Sequence, residues 1–330
     1  MAVGIEKTGV EIEALEQQYQ QYKTWLKERH LDAETWVLNW DIKQEAFAEY
    51  GIGDSLFYTG IYLTALALEK NEAEFTAILE KLNQHKYLPG MYPRYPNTFK
   101  TSKDPYFQLV LALVYAGEAF PNNTLLKETL DEIVINLKAN KFRLREHPDI
   151  CQETTGSSDC NTRHGNLLEL KPIVAAMDGK TTLLYYLALL GLPAYTLFRK
   201  LFIKGKYFNL FMFAAQYLMY HLLVKGSISR GLLKLSVKTF ATIEKRNPYF
   251  LMICDLIAGK QKHRSAVEEI LAAFPQTHLP NDEEPIAHQD VLWQRDPESW
   301  PNSEPQVRFE YSGIDFMVMW RFYMRHYLGK

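Results

Sequence analysis

Apolar residues recur at three- and four-residue steps along most of the chain. In residues 10–29 they fall at Ile12, Leu15, Tyr19, Tyr22 and Leu26, which predicts an amphipathic helix. The same periodicity predicts helices over 54–70, 72–86, 105–119, 123–140, 166–177, 181–191, 207–224, 230–245, 249–259, 263–274 and 313–328. Alternating β-branched runs that end in Asn-Gly or Asp-Gly are absent. We therefore predict an all-α fold of about twelve helices without a substantial sheet.

Long irregular segments separate several of these predicted helices. They cover residues 87–104, 144–165 and 275–312 and are rich in Tyr, Trp, Arg and His. Loops longer than ~12–15 residues in a compact domain are usually functional or disordered. The aromatic and charged composition favours ordered loops that carry the function.

Helical hairpins with long aromatic loops before alternate helices resemble the (α/α)6 toroid of six-hairpin glycosidases and polysaccharide lyases. Several segments also resemble blocks of bacterial proteins of this type: GDSLFYTGIYLTALA, SKDPYFQLVLALVYAGEA, NPYFLMICDLIAG, VLWQRDP and YSGIDFMVMWRFYMRHYLG. The resemblance spans most of the chain and implies a single toroid-like domain over residues 1–330. It carries no established catalytic signature.

Three acids stand at the predicted starts of apolar helices, namely Asp54, Asp104 and Asp315. In the toroid that the resemblance implies, the inner helices share one polarity, so these acids would converge on one cavity. Glycoside hydrolysis needs such a carboxyl pair, one acting as acid and the other as base or nucleophile. The alternative is helix capping, because Asp is a preferred N-cap residue and Ser312-x-x-Asp315 resembles a capping box.

The loop around residue 160 offers a second set of candidates. Asn161 or Arg163 would neutralise the carboxylate of a uronic acid, while His164 would abstract the neighbouring proton in a lyase reaction. Cys160 and His164 do not have the spacing of a zinc site, so we predict no metal. An ordinary loop with a surface histidine is the alternative.

Aromatic and arginine side chains occur together in two of the long loops. Arg94 and Tyr95 lie in MYPRYP, and Trp293 and Arg295 lie in LWQRDPESW. Flat rings bind sugars and guanidinium groups bind carboxylates, so we predict that these four residues bind substrate. Alternatively, the aromatic side chains fasten proline-rich loops to helix ends.

Composition narrows the functional classes. Of 330 residues 47% are hydrophobic and 23% are charged, which excludes a disordered chain. The net charge of −2 gives no indication of nucleic-acid binding, and three cysteines are too few for a disulfide framework. P-loop, Rossmann, nucleophile-elbow and zincin motifs are absent, so we predict no cofactor. The N-terminal segment lacks a signal-peptide pattern, so we expect a cytoplasmic protein.

Charge is distributed unevenly, because residues 179–243 contain no Asp or Glu. The remaining chain carries 28 basic against 39 acidic residues, or −11. This acid-free segment predicts contact with an anionic membrane at the inner face, through apolar side chains flanked by Lys and Arg. The predicted membrane-facing residues are Phe198, Leu201, Phe202, Phe208, Phe211 and Phe213. The alternative is a buried helix pair whose basic side chains reach solvent.

The sequence as a whole favours a carbohydrate-active enzyme, a hydrolase or lyase acting on an acidic or lipid-linked glycan. Two alternatives stay open. One is a non-catalytic, membrane-peripheral binding or scaffold protein. The other is a lipid- or isoprenoid-modifying enzyme with an apolar cavity, although a D-D-x-x-D motif is absent.

Overall fold

The computed structural model describes residues 6–31, 41–43, 55–94, 101, 103–142, 144, 166–202, 210–243, 247–274 and 309–329. In its first half, a π-helical turn Leu26–His30 follows the first helix. The helices are α1 Glu6–Trp25, α2 Ser55–Glu69, α3 Glu72–Gln84, α4 Lys103–Ala119, α5 Thr124–Ala139 and α6 Asn166–Met177. The second half contains α7 Leu183–Phe202, α8 Leu210–Leu223, α9 Ser227–Ser236, α10 Lys238–Ile243, α11 Pro248–Ala258, α12 Arg264–Ala272 and α13 Ile314–Tyr327.

The all-α prediction is confirmed for this part of the chain. Three predicted helices differ from the observed ones. The helix predicted over 10–29 begins earlier, at Glu6, and ends at Trp25, where the π-helical turn follows. The helix predicted over 181–191 continues through Pro193 to Phe202, and the one predicted over 230–245 is divided at Val237 into α9 and α10. At this division the Phe240 N–H donates to the Val237 carbonyl in a tight turn (3.0 Å).

One short antiparallel ladder joins distant parts of the chain. Strand β1 is Asp41–Lys43 and strand β2 is Phe309–Tyr311, with Asp41 opposite Tyr311. Each strand has three residues, so the ladder leaves the all-α class unchanged. Segments this short lack the alternating pattern that predicts a strand.

Five helices form the centre of the molecule, namely α2, α4, α8, α11 and α13. They contact one another in a closed series, α2 with α4, α4 with α8, α8 with α11, α11 with α13, and α13 with α2. In α2 and α4 nearly all residues are buried, whichever side of the helix they occupy. Helices that are apolar on all sides are core helices, which explains their position. We call these five the central helices.

The helices around them are amphipathic. In α3 the buried residues are Phe75, Ile78, Leu79 and Leu82, the spacing of a single helical face. Asparagine side chains cap three helices, where Asn71, Asn123 and Asn247 accept hydrogen bonds from the first backbone N–H groups of α3, α5 and α11. These short polar turns explain why the hairpin pattern was visible in the sequence.

Candidate functional site

The predicted site residues are divided between the described and the undescribed parts of the chain. The structure describes Arg94, Asp104 and Asp315. The other seven lie outside the described residues, namely Asp54, Tyr95, Asn161, Arg163, His164, Trp293 and Arg295. All three described residues lie beside the N-terminal ends of central helices.

Asp315 lies in the first turn of α13 and is only 3% exposed. Burial, together with the nearby charge of Asp315, raises the pKa of Tyr249 at the start of α11. The N-cap residue of α13 is Gly313, and the Ser312 hydroxyl accepts a hydrogen bond from the Ile314 N–H (3.4 Å). Asp315 is therefore not the N-cap residue, but a buried acid at the second position of the helix.

Asp104 occupies a comparable place in α4. The helix begins at Lys103, so Asp104 belongs to its first turn and is half-buried. The helix macrodipole favours a negative charge in the first turn. Both acids are thus first-turn residues of their helices rather than N-cap residues.

Arg94 lies at the start of α2, where its carbonyl accepts a hydrogen bond from the Leu56 N–H (3.0 Å). The preceding segment is fastened to α4, since the Tyr106 hydroxyl accepts from the Tyr92 N–H and donates to the Gly90 carbonyl. Tyr106 is fully buried. These bonds hold Arg94 between the starts of two central helices.

The opposite ends of the same helices share a cavity of about 660 Å³. Glu69 from the end of α2, Glu118 from the end of α4, and Arg321 and Arg325 from α13 line it. Because these C-terminal ends lie together, α2, α4 and α13 run in the same direction. Their N-terminal ends, with Arg94, Asp104 and Asp315, accordingly lie together at the other end.

A smaller cavity extends this conclusion to the other two central helices. It has a volume of about 40 Å³ and is lined by His221 near the end of α8, Leu256 near the end of α11, and Arg325. Tyr115 of α4 borders the same space. All five central helices therefore share one direction.

The carboxylates in the larger cavity are paired with bases. Glu118 accepts from Arg325 at 2.7 Å, and Glu69 accepts from Lys23 at 2.7 Å. The Arg321 guanidinium lies 3.7 Å above the centre of the Tyr19 ring and 3.0 Å from Glu16. Paired carboxylates are poor candidates for the acid and base of glycoside cleavage. This end of the central helices therefore does not support the predicted hydrolytic chemistry.

The most unusual surface of the molecule lies on α7 and α9. Seven large apolar side chains are prominently exposed in the described part of the chain, and six of them are on these two helices, between 42% and 76% exposed. They are Leu183, Leu187, Leu190, Ile228, Leu232 and Leu235. Both sets follow the spacing i, i+4, i+7, so each forms one stripe along its helix. We call these six residues the α7–α9 row.

Hydrogen bonds between the two helices hold the row together. Pro193 has no N–H, so it cannot satisfy the carbonyl of Leu189 four residues earlier. The Leu189 carbonyl instead accepts from the Ser236 hydroxyl (2.6 Å) and the Tyr217 hydroxyl (3.0 Å). Nearer the start of α9, the Tyr185 hydroxyl donates to the Ser229 carbonyl (2.8 Å). The proline inside α7 thus frees the Leu189 carbonyl as the acceptor that joins α7 to α9.

Helix α8 of the acid-free segment belongs largely to the core. Residues Ala214, Tyr217, Leu218 and Met219 of α8 are fully buried, and Phe213 is half-buried against the core. Phe213 thus packs partly against the core, and its membrane contact stays a prediction. Phe208 and the side chains of Phe198, Leu201, Phe202 and Phe211 lie outside the described residues.

Basic side chains of the acid-free segment flank the row. The described ones are Lys180, Lys225, Arg230, Lys234 and Lys238, and all five are exposed. Since residues 179–243 contain no Asp or Glu, this segment contributes only positive charge around the row.

Membrane-spanning helices and clusters of metal-binding side chains are both absent from the described ranges. No helix there is both long enough and apolar enough to cross a membrane. No group of three or more His, Cys, Asp or Glu side chains in these ranges could hold a metal ion.

In comparisons with known proteins, no family model matches the chain, and neither a curated protein nor a solved structure shows significant similarity to it. Two features of the molecule bear on its function, namely the helix starts with their acids and the α7–α9 row.

Sequence reasoning found the acid-free segment but missed the residues that form the row. Their i, i+4, i+7 spacing was present in the sequence, but core-facing stripes have the same spacing. Only the packing of α7 and α9 on their neighbours distinguishes the exposed leucines from buried Tyr185 and Leu189.

Proposed function

We propose that the protein acts at the surface of an anionic membrane, to which it binds reversibly through the α7–α9 row. The exposure of six large apolar side chains on two joined helices, in a segment without acids, is the observation that carries this proposal. Exposed apolar patches of this kind mark interaction surfaces. The basic flanks select a negatively charged partner, and anionic lipid satisfies both requirements.

The expected free energies of membrane binding support reversible attachment. Burial of the exposed part of each leucine or isoleucine contributes ~1 kcal/mol. Each Lys or Arg near an anionic surface contributes about 1 kcal/mol. Six apolar and five basic residues together resemble the combination of a hydrophobic anchor and a polybasic patch that retains peripheral proteins on membranes.

We further propose that the central helices form the inner wall of an (α/α) toroid. The common direction of the five helices and their closed series of contacts support this architecture. A sixth inner position would belong to α6, which contacts α8, although α4 also contacts α8 directly. In this architecture α7 and α9 are outer helices, and the row lies on the outside of the toroid.

Flotation with liposomes tests membrane binding. We expect the wild type to float with phosphatidylcholine vesicles that contain phosphatidylserine, and to float less at high salt, where charges are screened within ~3 Å. Leu183→Ser combined with Ile228→Ser should reduce vesicle partitioning about tenfold or more. The matched control is Ile135→Ser on α5, since Ile135 is also 66% exposed but lies outside the row.

Each outcome decides the proposal. Flotation that is lost in the double variant and kept in the control supports it. Failure of the wild type to float, or equal flotation of both variants, overturns it. Concentration-dependent dimerisation that is lost only in the double variant, without flotation, would assign the row to a second copy of the chain and also overturn it.

We also propose a second function, at the opposite end of the molecule, as a glycoside hydrolase or lyase acting on an acidic or lipid-linked glycan. The observation that favours it is the common direction of α2, α4 and α13, which gathers Arg94, Asp104 and Asp315 at one end. Asp104 would act as acid or base, and Arg94 would hold an anionic group of the substrate. The two functions are compatible, because a lipid-linked glycan is reached from a membrane surface.

Cleavage of acidic and lipid-linked oligosaccharides tests the second function. New reducing ends indicate a hydrolase, and unsaturated uronate absorbance indicates a lyase. Asp104→Asn should lower turnover ~10²–10⁴-fold, as expected for loss of a general acid or base. The exposed Glu128→Gln on α5 serves as control. Full turnover by Asp104→Asn would remove the assigned role, and no cleavage of any substrate by the wild type would overturn the function.

A further inference from the structure

A third cavity, of about 370 Å³, lies between α8, α9 and α11, next to the helix that carries half of the α7–α9 row. His221 of α8, Ser227, Arg230 and Lys234 of α9, and Leu256 of α11 line it. Its lining includes two full positive charges and no acidic side chain. A volume of this size suits a small ligand, and the lining favours an anion.

Arg230 is oriented toward this space by the backbone. Its Nε donates to the carbonyl of Val224 at 2.7 Å. A guanidinium group has five N–H donors, so most of its donors are left for a ligand. Within the described part of the chain, neither Arg230 nor Lys234 forms an ion pair with a carboxylate. Arginine in this state is suited to phosphate, whose oxygens match the fork of N–H groups.

The electric field at His221 agrees with this geometry. Burial lowers the pKa of His221, and the nearby positive charges of Arg230, His326 and Lys234 lower it further. Glu118 acts in the opposite direction but does not reverse the shift. The half-buried imidazole therefore lies in a positive field that a bound anion would relieve.

The start of α9 adds donors on the same side. The N-cap residue Gly226 has no side chain with which to cap the first N–H groups of this ten-residue helix. Ser227, the first helical residue, lines the cavity. Uncapped N–H groups at a helix start bind anions, here beside two cationic side chains.

Gly231 connects the cavity with the row. At 3.6 residues per turn it lies on the helix surface between Lys234 on one side and Ile228 and Leu235 on the other. A Cβ atom added at Gly231 would have nothing within 4 Å. The helix surface at Gly231 is therefore open, at a position between the cavity and the apolar row.

We propose that this cavity binds a phosphate group through His221, Arg230, Lys234 and the start of α9. Two sources share this chemistry. One is the headgroup of an anionic lipid whose chains lie against the row, and this source rests on the proposed membrane function. The other is a free phosphate compound, which does not depend on a membrane.

Two variants at one position test the site with little risk of unfolding. Gly231→Glu places a carboxylate at this open position beside the cavity, and Gly231→Ala fills the same position without charge. Both replace a helical glycine by a better helix former, so both proteins should fold. The probes are inorganic phosphate, vesicles of phosphatidylcholine, and vesicles of phosphatidylcholine with phosphatidic acid. The readouts are the NMR signal of the His221 imidazole and flotation.

Phosphate should raise the pKa of His221 in the wild type and in Gly231→Ala. Gly231→Glu should weaken phosphate binding about tenfold or more, because the added carboxylate repels phosphate and competes with it for Arg230 and Lys234. A response to inorganic phosphate supports the free source. A response only to phosphatidic acid vesicles, with weaker flotation of Gly231→Glu than of Gly231→Ala, supports the headgroup source.

The remaining outcomes separate this proposal from the membrane function. If the wild type floats but His221 responds to neither probe, or if the two variants bind equally, the phosphate site is overturned and membrane binding stands. If His221 responds to inorganic phosphate but the wild type never floats, the site stands and the membrane function is overturned.

Discussion

Single residues decide how charge is buried where α1, α2 and α3 meet. Glu74 of α3 is bound by Lys27 (2.8 Å) and Lys23 (3.6 Å) of the first helical segment, and it accepts a hydrogen bond from the Tyr62 hydroxyl of α2. Burial alone would raise the pKa of Glu74, but the bonds from Lys27 and Tyr62 and the charges of both lysines outweigh it and lower the pKa. The ionised carboxylate therefore stabilises the contact among three helices.

This shift predicts a dependence of stability on pH. Because the folded pKa of Glu74 lies below its ordinary value of 4.5, its contribution is present above that value and is lost as the pH falls through the folded pKa. Glu74→Gln should lower the free energy of unfolding by about 1–2 kcal/mol at neutral pH. Below the ordinary range of glutamate, the two proteins should approach the same stability.

Urea denaturation across this pH range measures the effect. The exposed Glu128→Gln should differ little from the wild type at any pH. A Glu74→Gln deficit that stays constant into strongly acidic conditions would contradict the role of the ionised carboxylate.

At the scale of elements, the spacing of α2 and α4 depends on one glycine. A Cβ atom at Gly60 would lie 2.7 Å from the carbonyl carbon of Gln108 and 2.8 Å from the Leu109 nitrogen. These are backbone atoms, which cannot move aside as a flexible side chain can. The pair of central helices therefore packs closely only because residue 60 has no side chain.

Two glycine-to-alanine variants separate packing from helix propensity. Gly60→Ala should destabilise the protein by about 1–3 kcal/mol, the usual result of overpacking. Gly117→Ala, on α4, should stabilise it by ~0.5–1 kcal/mol, because a Cβ atom there meets nothing within 4 Å and alanine favours helix. Thermal unfolding of both variants checks the prediction. Equal effects of the two substitutions would show that the α2–α4 approach is not limited by residue 60.

At the scale of the whole molecule, the central helices divide the surface into regions with different properties. Their N-terminal ends carry Asp104 and Asp315, while their C-terminal ends carry ion-paired residues such as Glu118 and Arg325. The outer face formed by α7 and α9 is apolar with positive flanks. A near-neutral net charge of −2 therefore conceals a polarised protein. The proposed membrane contact and the proposed glycan site would lie on different surfaces and can be tested independently.

The sequence by itself determined the helical class and most helix limits, because periodic apolar residues and asparagine caps are local signals. Helices α2, α4, α6 and α11 agree with prediction to within two residues at either end. The acid-free segment was also visible, since charge composition needs no fold. Which of its side chains are exposed could not be predicted, because a stripe of leucines has the same spacing whether it faces the core or the solvent.

Only the tertiary structure decided which stripe is covered. Helix α8 is enclosed by α4, α6 and α11, whereas the leucines of α7 and α9 have no neighbouring helix over them in the described part of the chain. Likewise, the helix predicted over 181–191 continues through Pro193, because hydroxyl groups from Ser236 and Tyr217 satisfy the carbonyl that the proline frees. Tyr217 is 28 residues and Ser236 is 47 residues from Leu189 in the sequence. Contacts over such distances depend on packing, which local periodicity does not encode.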